Sequence, residues 1–133
     1  MKKMILASLF SACLFTACKK DNTAFNAYNS SLATNTVQYN FTASIPGNYT
    51  FKTITGKDYF SETRYTNTWS NKVTEQGDGT ATFHVYQPAD WAGTNTSANV
   101  NMQILVNGKL AASLDTTLYG LDHAAGVELS ANY

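Results

Sequence analysis

Residues 100–114 read Val-Asn-Met-Gln-Ile-Leu-Val-Asn-Gly-Lys-Leu-Ala-Ala-Ser-Leu and decide the fold class. Apolar residues occupy every second position from Val100 to Val106, which is the period of a strand with one buried face. Asn107-Gly108 separates this run from a second apolar run. Because both residues tolerate a positive φ, Asn-Gly between two such runs predicts a β-hairpin with a two-residue turn.

The same two-residue period recurs from Val37 to Ala131. Turn residues interrupt it at Pro46-Gly47, where we expect a type II turn, and again at Gly56-Lys57 and Gly77-Asp78-Gly79. In the segment 59–65 both faces carry aromatic residues, so its buried face stays open, while Trp69 is expected in the core. The predicted strands lie near residues 37–43, 49–53, 59–65, 69–75, 81–86, 100–106, 110–114 and 127–131.

No helical stretch lies between these segments. The pattern therefore predicts an all-β fold, a small antiparallel β-sandwich of about seven to eight strands. The sandwich is Ig-like in architecture only, because the chain has no Cys–Trp–Cys pattern.

The amino terminus has the layout of a secretory signal. Lys2 and Lys3 precede an almost entirely apolar run of 14 residues, Met4 to Ala17, and charged residues follow. This run is shorter than the roughly 20 residues needed to span a bilayer. We therefore interpret residues 1–17 as a signal peptide.

Cys18 ends a segment, Leu14-Phe15-Thr16-Ala17-Cys18, that resembles a bacterial lipobox. Cys13 ends a similar pentad, but cleavage there would shorten the apolar run and leave Leu14-Phe15 exposed on the mature protein. Cys18 is therefore the predicted lipid-attachment residue, and two or three acyl chains would give stable anchoring. The alternative is an ordinary cleaved signal or an N-terminal membrane anchor.

The start of the mature chain, Cys18-Lys19-Lys20-Asp21, resembles lipoproteins of Bacteroidetes-type bacteria. Lipoproteins like those of enteric bacteria stay in the inner membrane when Asp follows the lipidated cysteine. Lys19 follows here, so we expect the outer membrane, with the domain facing either the periplasm or the outside.

The mature chain divides into a tether and a domain. Residues 18–35 are rich in Asn, Ser and Thr and are expected to be a flexible tether with a reach of roughly 20–25 Å. Residues 36–133 are the expected β-sandwich domain. No cysteine follows Cys18, so the domain has neither a disulfide nor a cysteine metal site.

Charge excludes one class of partner. Without the two lysines of the signal, seven basic residues face nine acidic ones, so the mature charge is near −2. A nucleic-acid partner is therefore not expected.

The sequence contains no recognisable catalytic constellation. His84 and His123 are the only histidines, and neither accompanies a nucleophile motif or a metal-ligand spacing. We therefore predict no enzymatic activity, no cofactor and no metal.

One loop carries candidate ligand-binding residues. Trp91 and Asp90 lie in the polar segment 87–97, and Tyr86 precedes it on the outward face of a strand. A Trp or Tyr ring can stack on a sugar while Asp and Asn bind its hydroxyls. The alternative is that Trp91 folds back to cover one end of the sandwich.

Three short motifs resemble the MmpS family of small membrane-anchored proteins: Thr68-Trp69-Ser70, Val106-Asn107-Gly108-Lys109 and the closing segment 125–131. The resemblance covers roughly residues 36–133. It implies an Ig-like β-sandwich and, as a partner, a large lipid transporter of the RND type. The chain departs from this family in having a lipobox in place of a transmembrane anchor, and in lacking the family's pair of domain cysteines.

These observations lead to two functional expectations. The first is a lipid-anchored, non-enzymatic envelope protein that serves as an interaction or accessory module of an envelope complex such as a transporter. The alternative is a cell-surface glycan-binding module that uses Trp91, Tyr86 and Asp90.

Substitution Cys18→Ala should abolish incorporation of radiolabelled palmitate into the chain, because no other side chain replaces the thiol in this modification. Cys13→Ala is the matched control and should be labelled like the wild type. Unchanged labelling of Cys18→Ala would refute Cys18 as the acceptor.

Overall fold

The computed structural model describes residues 33–120 and 126–133, and this part of the chain confirms the predicted all-β fold. Its strands are antiparallel and curve into a nearly barrel-shaped, sandwich-like fold. The six strands of the described residues are β1 (Thr34–Thr55), β2 (Asp58–Gln76), β3 (Thr80–Tyr86), β4 (Ser97–Val106), β5 (Lys109–Tyr119) and β6 (Gly126–Asn132), and a 3-10 turn, Ala89–Trp91, lies between β3 and β4.

The strands number six rather than seven to eight because β1 and β2 each join two predicted strands. The type II turn predicted at Pro46-Gly47 is wrong, since β1 continues through these residues. Thr42 pairs with Thr68 and Gly47 with Thr66, so four residues of β1 lie opposite one residue of β2. Such an insertion bends a strand without reversing it.

Each half of β1 has a different second neighbour. Val37–Ala43 pairs with β4, whereas Thr50–Thr55 pairs with β3. Along its opposite edge, both halves of β1 pair with β2. The resulting strand order is β5-β4-β1-β3-β6, with β2 attached to β1 outside this path.

Two contacts hold the bend of β1 in place. The Tyr49 hydroxyl donates a hydrogen bond of 2.9 Å to the carbonyl oxygen of Ile45. Gly47 lies so close to the loop after β3 that an added Cβ would be 2.7 Å from Cγ of Pro88 and 3.1 Å from Cζ2 of Trp91. The absence of a side chain at this position therefore lets the loop cover the bend.

The Asn107-Gly108 hairpin is confirmed. Both residues have positive φ, 52° and 78°, and Val106 pairs with Lys109 across the turn. The Asn107 side chain also reaches the start of β1, because its Oδ1 accepts a 2.9 Å hydrogen bond from the backbone N–H of Thr36. The turn thus fastens the β4–β5 hairpin to the first strand.

Aromatic rings dominate the core. Phe51 and Trp69 are stacked with ring centroids 4.5 Å apart, and Phe83 lies against the same indole at 5.4 Å. Such pairs add about 0.5–1.5 kcal/mol each beyond the burial of their area. Trp69 is 6% exposed and belongs to the core, as predicted. The buried apolar residues are Val37, Tyr39, Phe41, Tyr49, Phe51, Trp69, Ala81, Phe83, Val85, Trp91, Ala98, Val100, Met102, Ile104 and Leu118.

The structure also resolves which face of residues 59–65 points inward. Phe60 pairs with the buried Thr53, and Glu62 pairs with the buried Phe51, so both share the core face. Glu62 accepts a hydrogen bond from the indole N–H of Trp69. Tyr59 and Tyr65 lie on the outward face, and 63% and 68% of their surfaces are exposed.

Alkaline pH should destabilise the fold through its buried tyrosines. Burial raises the pKa of Tyr49 from 10.0 to about 12 and also raises the pKa of Tyr39. A raised pKa in the folded state means that stability is intact below pH 10 and is lost as pH rises towards 12. The loss per tyrosine is limited to about 1.4 kcal/mol per pH unit.

Urea denaturation between pH 8 and 11.5 measures this effect. Tyr49→Phe should lower the free energy of unfolding by about 1 kcal/mol at pH 8, because the bond to Ile45 is lost, but it should flatten the alkaline decline. Tyr65→Phe, at an exposed position, should follow the wild-type curve. A Tyr49→Phe curve parallel to the wild type above pH 10 would contradict this explanation.

Candidate functional site

Cys18 lies outside the described residues, as do the predicted signal peptide, residues 1–17, and most of the predicted tether. The structure therefore does not place the lipid-attachment residue. Within the described residues, no helix is long and apolar enough to cross a membrane.

Trp91 lies inside the domain. It ends the 3-10 turn Ala89–Trp91, is 7% exposed, and meets the ring of Tyr49 edge-on with centroids 5.6 Å apart. Its carbonyl oxygen accepts a 2.7 Å hydrogen bond from the Thr94 hydroxyl, which holds the following loop. The indole therefore folds back over the interior, as in the alternative interpretation of the sequence, and it offers no open face for a sugar ring.

Tyr86 and Asp90 are not brought together with Trp91 into a stacking platform. Tyr86 alternates with the buried Val85 on β3, so its ring lies on the opposite face of the sheet from the core. The Lys52 ammonium lies 4.7 Å from the centre of the Tyr86 ring in a cation–π contact. Asp90 is exposed in the 3-10 turn.

His84 has a surface role. Its ring stacks beside that of Tyr86 with centroids 6.2 Å apart, and its Nδ1 lies 3.5 Å from Oε2 of Glu128. In the described residues Glu128 is the acidic neighbour of this histidine, and the nearby Ser130 hydroxyl forms its hydrogen bonds with Glu128 and Thr82 rather than with the imidazole. The arrangement lacks the hydrogen-bonded nucleophile and base that covalent catalysis requires.

No group of three or more His, Cys, Asp or Glu side chains in the described ranges is arranged to hold a metal ion. Burial raises the pKa of Tyr39, Tyr49 and Tyr133. The pKa of Tyr133 is raised by burial and by the nearby carboxylates of Glu75 and Asp58. A raised pKa keeps these hydroxyls protonated at neutral pH, and those of Tyr39 and Tyr49 donate hydrogen bonds to the carbonyl oxygens of Ile54 and Ile45.

The outer edge of β2 is the most distinctive surface. In the described part of the chain, β2 pairs with β1 alone, so its second edge has no strand partner. We use the name β2 edge for residues Tyr59–Tyr65. Its outward row, Tyr59-Ser61-Thr63-Tyr65, carries no charge, and Phe60 on the inner side is 39% exposed.

A second surface is polar. It is formed by outward side chains of β1, β4 and β5, in which Thr42 pairs with Asn101, and Asn101 pairs with Asp115. The Asn101 amide donates a 2.7 Å hydrogen bond to Asp115. We call this surface the amide face, and it consists of Asn40, Thr42, Asn99, Asn101, Gln103, Asp115 and Thr117.

A shallow groove of about 710 Å³ joins the two surfaces. Asn40, Thr42 and Gln103 of the amide face line one side, and Arg64 and Tyr65 of the β2 edge line the other. Polar amides beside an exposed aromatic ring and a guanidinium can bind hydroxylated ligands.

Sequence reasoning missed the β2 edge. The signal was present in the ambiguous faces of residues 59–65, because a strand with aromatics on both faces exposes some of them wherever only one face is buried. Comparisons with known proteins add no relative: no protein-family model matches the chain, and no curated protein matches its sequence.

Removing the Trp91 side chain should destabilise the domain. Trp91→Ala leaves a cavity beside Tyr49, and we expect the free energy of unfolding to fall by about 3–5 kcal/mol. Chemical denaturation with Asp90→Ala as the exposed neighbouring control measures this loss. A change below about 1 kcal/mol in Trp91→Ala would mean that the indole is not part of the core.

Proposed function

We propose that this chain is a lipid-anchored, non-enzymatic protein of the cell envelope that acts as an interaction module of an envelope protein complex. The lipid is attached to Cys18, the anchoring membrane is the outer membrane, and the flexible tether predicted over residues 18–35 connects the anchor to the domain.

The open β2 edge is the observation that carries this proposal. An unpaired strand presents a row of backbone N–H and C=O groups that another strand can complete. Native proteins often blunt such an edge with proline or with charged side chains. β2 has no proline, and the outward row of the β2 edge has no charge, while its two charged residues, Glu62 and Arg64, lie on the inner face. Exposed tyrosines there supply the aromatic contacts that protein interfaces favour.

The matching row in the other half of β2 is different. It contains Lys72, a residue typical of protected edges, and no aromatic side chain. The contrast within one strand indicates that the first half is kept available for a partner. Docking by strand addition would give affinity through the backbone and specificity through alternate side chains.

An accessory role to a lipid transporter rests on the resemblance to the MmpS family alone. A module on a tether of about 16 residues samples partners within roughly 20–25 Å of its attachment point. This reach suits a protein that binds a neighbour in the same membrane.

Glycan binding is the second candidate, favoured by the groove between the amide face and Tyr65. A glycan array probed with the wild type should then show signals that Gln103→Ala lowers at least tenfold and Trp91→Phe preserves. An empty array would reject this candidate.

Charging the β2 edge should remove the partner. The full-length chain carrying Tyr59→Lys and Tyr65→Lys should lose the protein that the wild type retains in pull-downs from detergent-solubilised envelope. The matched control carries Leu110→Lys and Tyr119→Lys, which alter two exposed apolar residues of β5. Equal recovery with both double variants, or no partner with the wild type, would count against the proposal.

A further inference from the structure

The β2 edge is complementary to itself in the antiparallel direction. When two identical strands pair antiparallel with the same sheet face upward, residue pairs are mirrored about a central residue. With Thr63 at the centre, Glu62 of one copy lies opposite Arg64 of the other, and Arg64 lies opposite Glu62. Both copies therefore contribute one acid and one base to the middle of the interface.

The charged groups of Glu62 and Arg64 can both contact a second copy of the chain. Arg64 is exposed and forms no ion pair within the described part of the chain. Glu62 uses Oε1 to accept the hydrogen bond from Trp69, which leaves Oε2 for a second partner. Opposite charges placed directly across two strands are stabilising, and like charges in that position are destabilising.

The charges also select the register. Moving the centre to residue 62 would place Glu62 against its own copy, and moving it to residue 64 would place Arg64 against its own copy. Each single-residue move of the centre therefore replaces two attractive pairs with a repulsive one. The arrangement centred on Thr63 avoids both.

The outward row becomes covered in the same register. Tyr65 lies opposite Ser61 of the second copy and diagonal to that copy's Tyr59. Diagonal neighbours across antiparallel strands are about 7–8 Å apart at their Cα atoms, which large aromatic side chains can bridge. The two most exposed large apolar side chains of the described residues, Tyr65 and Tyr59, would thus shield each other.

We propose that the partner of the β2 edge is a second copy of this chain, paired antiparallel through Tyr59–Tyr65 about a twofold axis at Thr63. This inference rests on the proposed function, because it takes the same edge as the docking surface. Two seven-residue strands form a small interface compared with the roughly 1,200–2,000 Å² of stable complexes. Tethering both copies to one membrane compensates by raising their effective concentration.

Cysteine cross-linking of the full-length chain in its membrane tests the geometry. In the proposed dimer the two Cα atoms of residue 63 are about 4.5–5.5 Å apart, within the range of a disulfide. The two Cα atoms of residue 61 are separated by four residue steps, or about 14 Å, which is too far. Ser61 and Thr63 share the outward face, so they form a matched pair.

Mild oxidation should convert Thr63→Cys into a reducible dimer and leave Ser61→Cys and the parent chain at least tenfold less cross-linked. Cross-linking of both variants would indicate parallel or random contact and would overturn the proposal. Cross-linking of neither, or of Thr63→Cys to a different protein, would overturn it as well. Because the segment that remains between the predicted cleavage site and the domain is present in this experiment, an edge covered by that segment would also give the negative result.

Charge reversal provides an independent test of the Glu62–Arg64 pairing in a chain that keeps the Thr63→Cys substitution. Adding Arg64→Glu to Thr63→Cys should reduce the dimer at least fivefold, because four carboxylates would meet at the axis. Lys72→Glu makes the same charge change in the other half of β2 and should leave the dimer unchanged. Equal cross-linking with both reversals would contradict the Glu62–Arg64 pairing.

The two proposals fail in different ways. If Thr63→Cys does not dimerise but Tyr59→Lys with Tyr65→Lys still loses another protein, the homodimer is rejected and the interaction module stands. If Thr63→Cys dimerises in a chain that takes up no palmitate, the homodimer stands and the lipid-anchored function is rejected.

Discussion

The four residues from Ala43 to Pro46 lie opposite a single residue of β2, and the architecture depends on this mismatch in register. Without it, β1 would be a straight strand. With it, the strand bends, so that one half hydrogen-bonds to β4 and the other half to β3. The hydroxyl of Tyr49 and the close approach at Gly47 keep the bend in one conformation.

The bend also explains why β2 is open. Since β3 and β4 use one edge of β1, β2 follows the other edge alone, from Thr55–Asp58 at the turn to Thr34–Gln76 at the far end. Its second half is anchored by Trp69 in the core, whereas its first half has little cover. The same topology that buries the aromatic core therefore creates the exposed β2 edge.

Local signals predicted part of this fold. Asn107-Gly108 specifies its turn through the φ preferences of two residues only. The apolar alternation that starts at Val100 likewise identifies, from neighbouring residues alone, which face of the strand is buried. Pro46-Gly47 wrongly predicted a turn, because apolar and polar residues alternate in the same way before and after a hairpin turn as they do before and after a bulge. Only the pairing with β2, more than 15 residues away, distinguishes the two.

The site was less predictable than the fold. Trp91 lies in a polar loop, and its burial depends on Gly47, a distant residue that leaves room for it. The exposure of Tyr59 and Tyr65 depends on the absence of a neighbouring strand, which no local pattern encodes. Cys18 is the opposite case, because its predicted role depends on the adjacent residues, and it stays a prediction.

Backbone NOEs between Hα protons and amides of neighbouring strands, measured on isotope-labelled protein, test the bent β1 most directly. The account predicts that Phe41 shows contacts to both Trp69 and Met102, and that Phe51 shows contacts to both Glu62 and Val85. A hairpin closed at Pro46-Gly47 would instead place the backbone of residues 41–43 against that of residues 49–51. Contacts of that second kind would contradict the account.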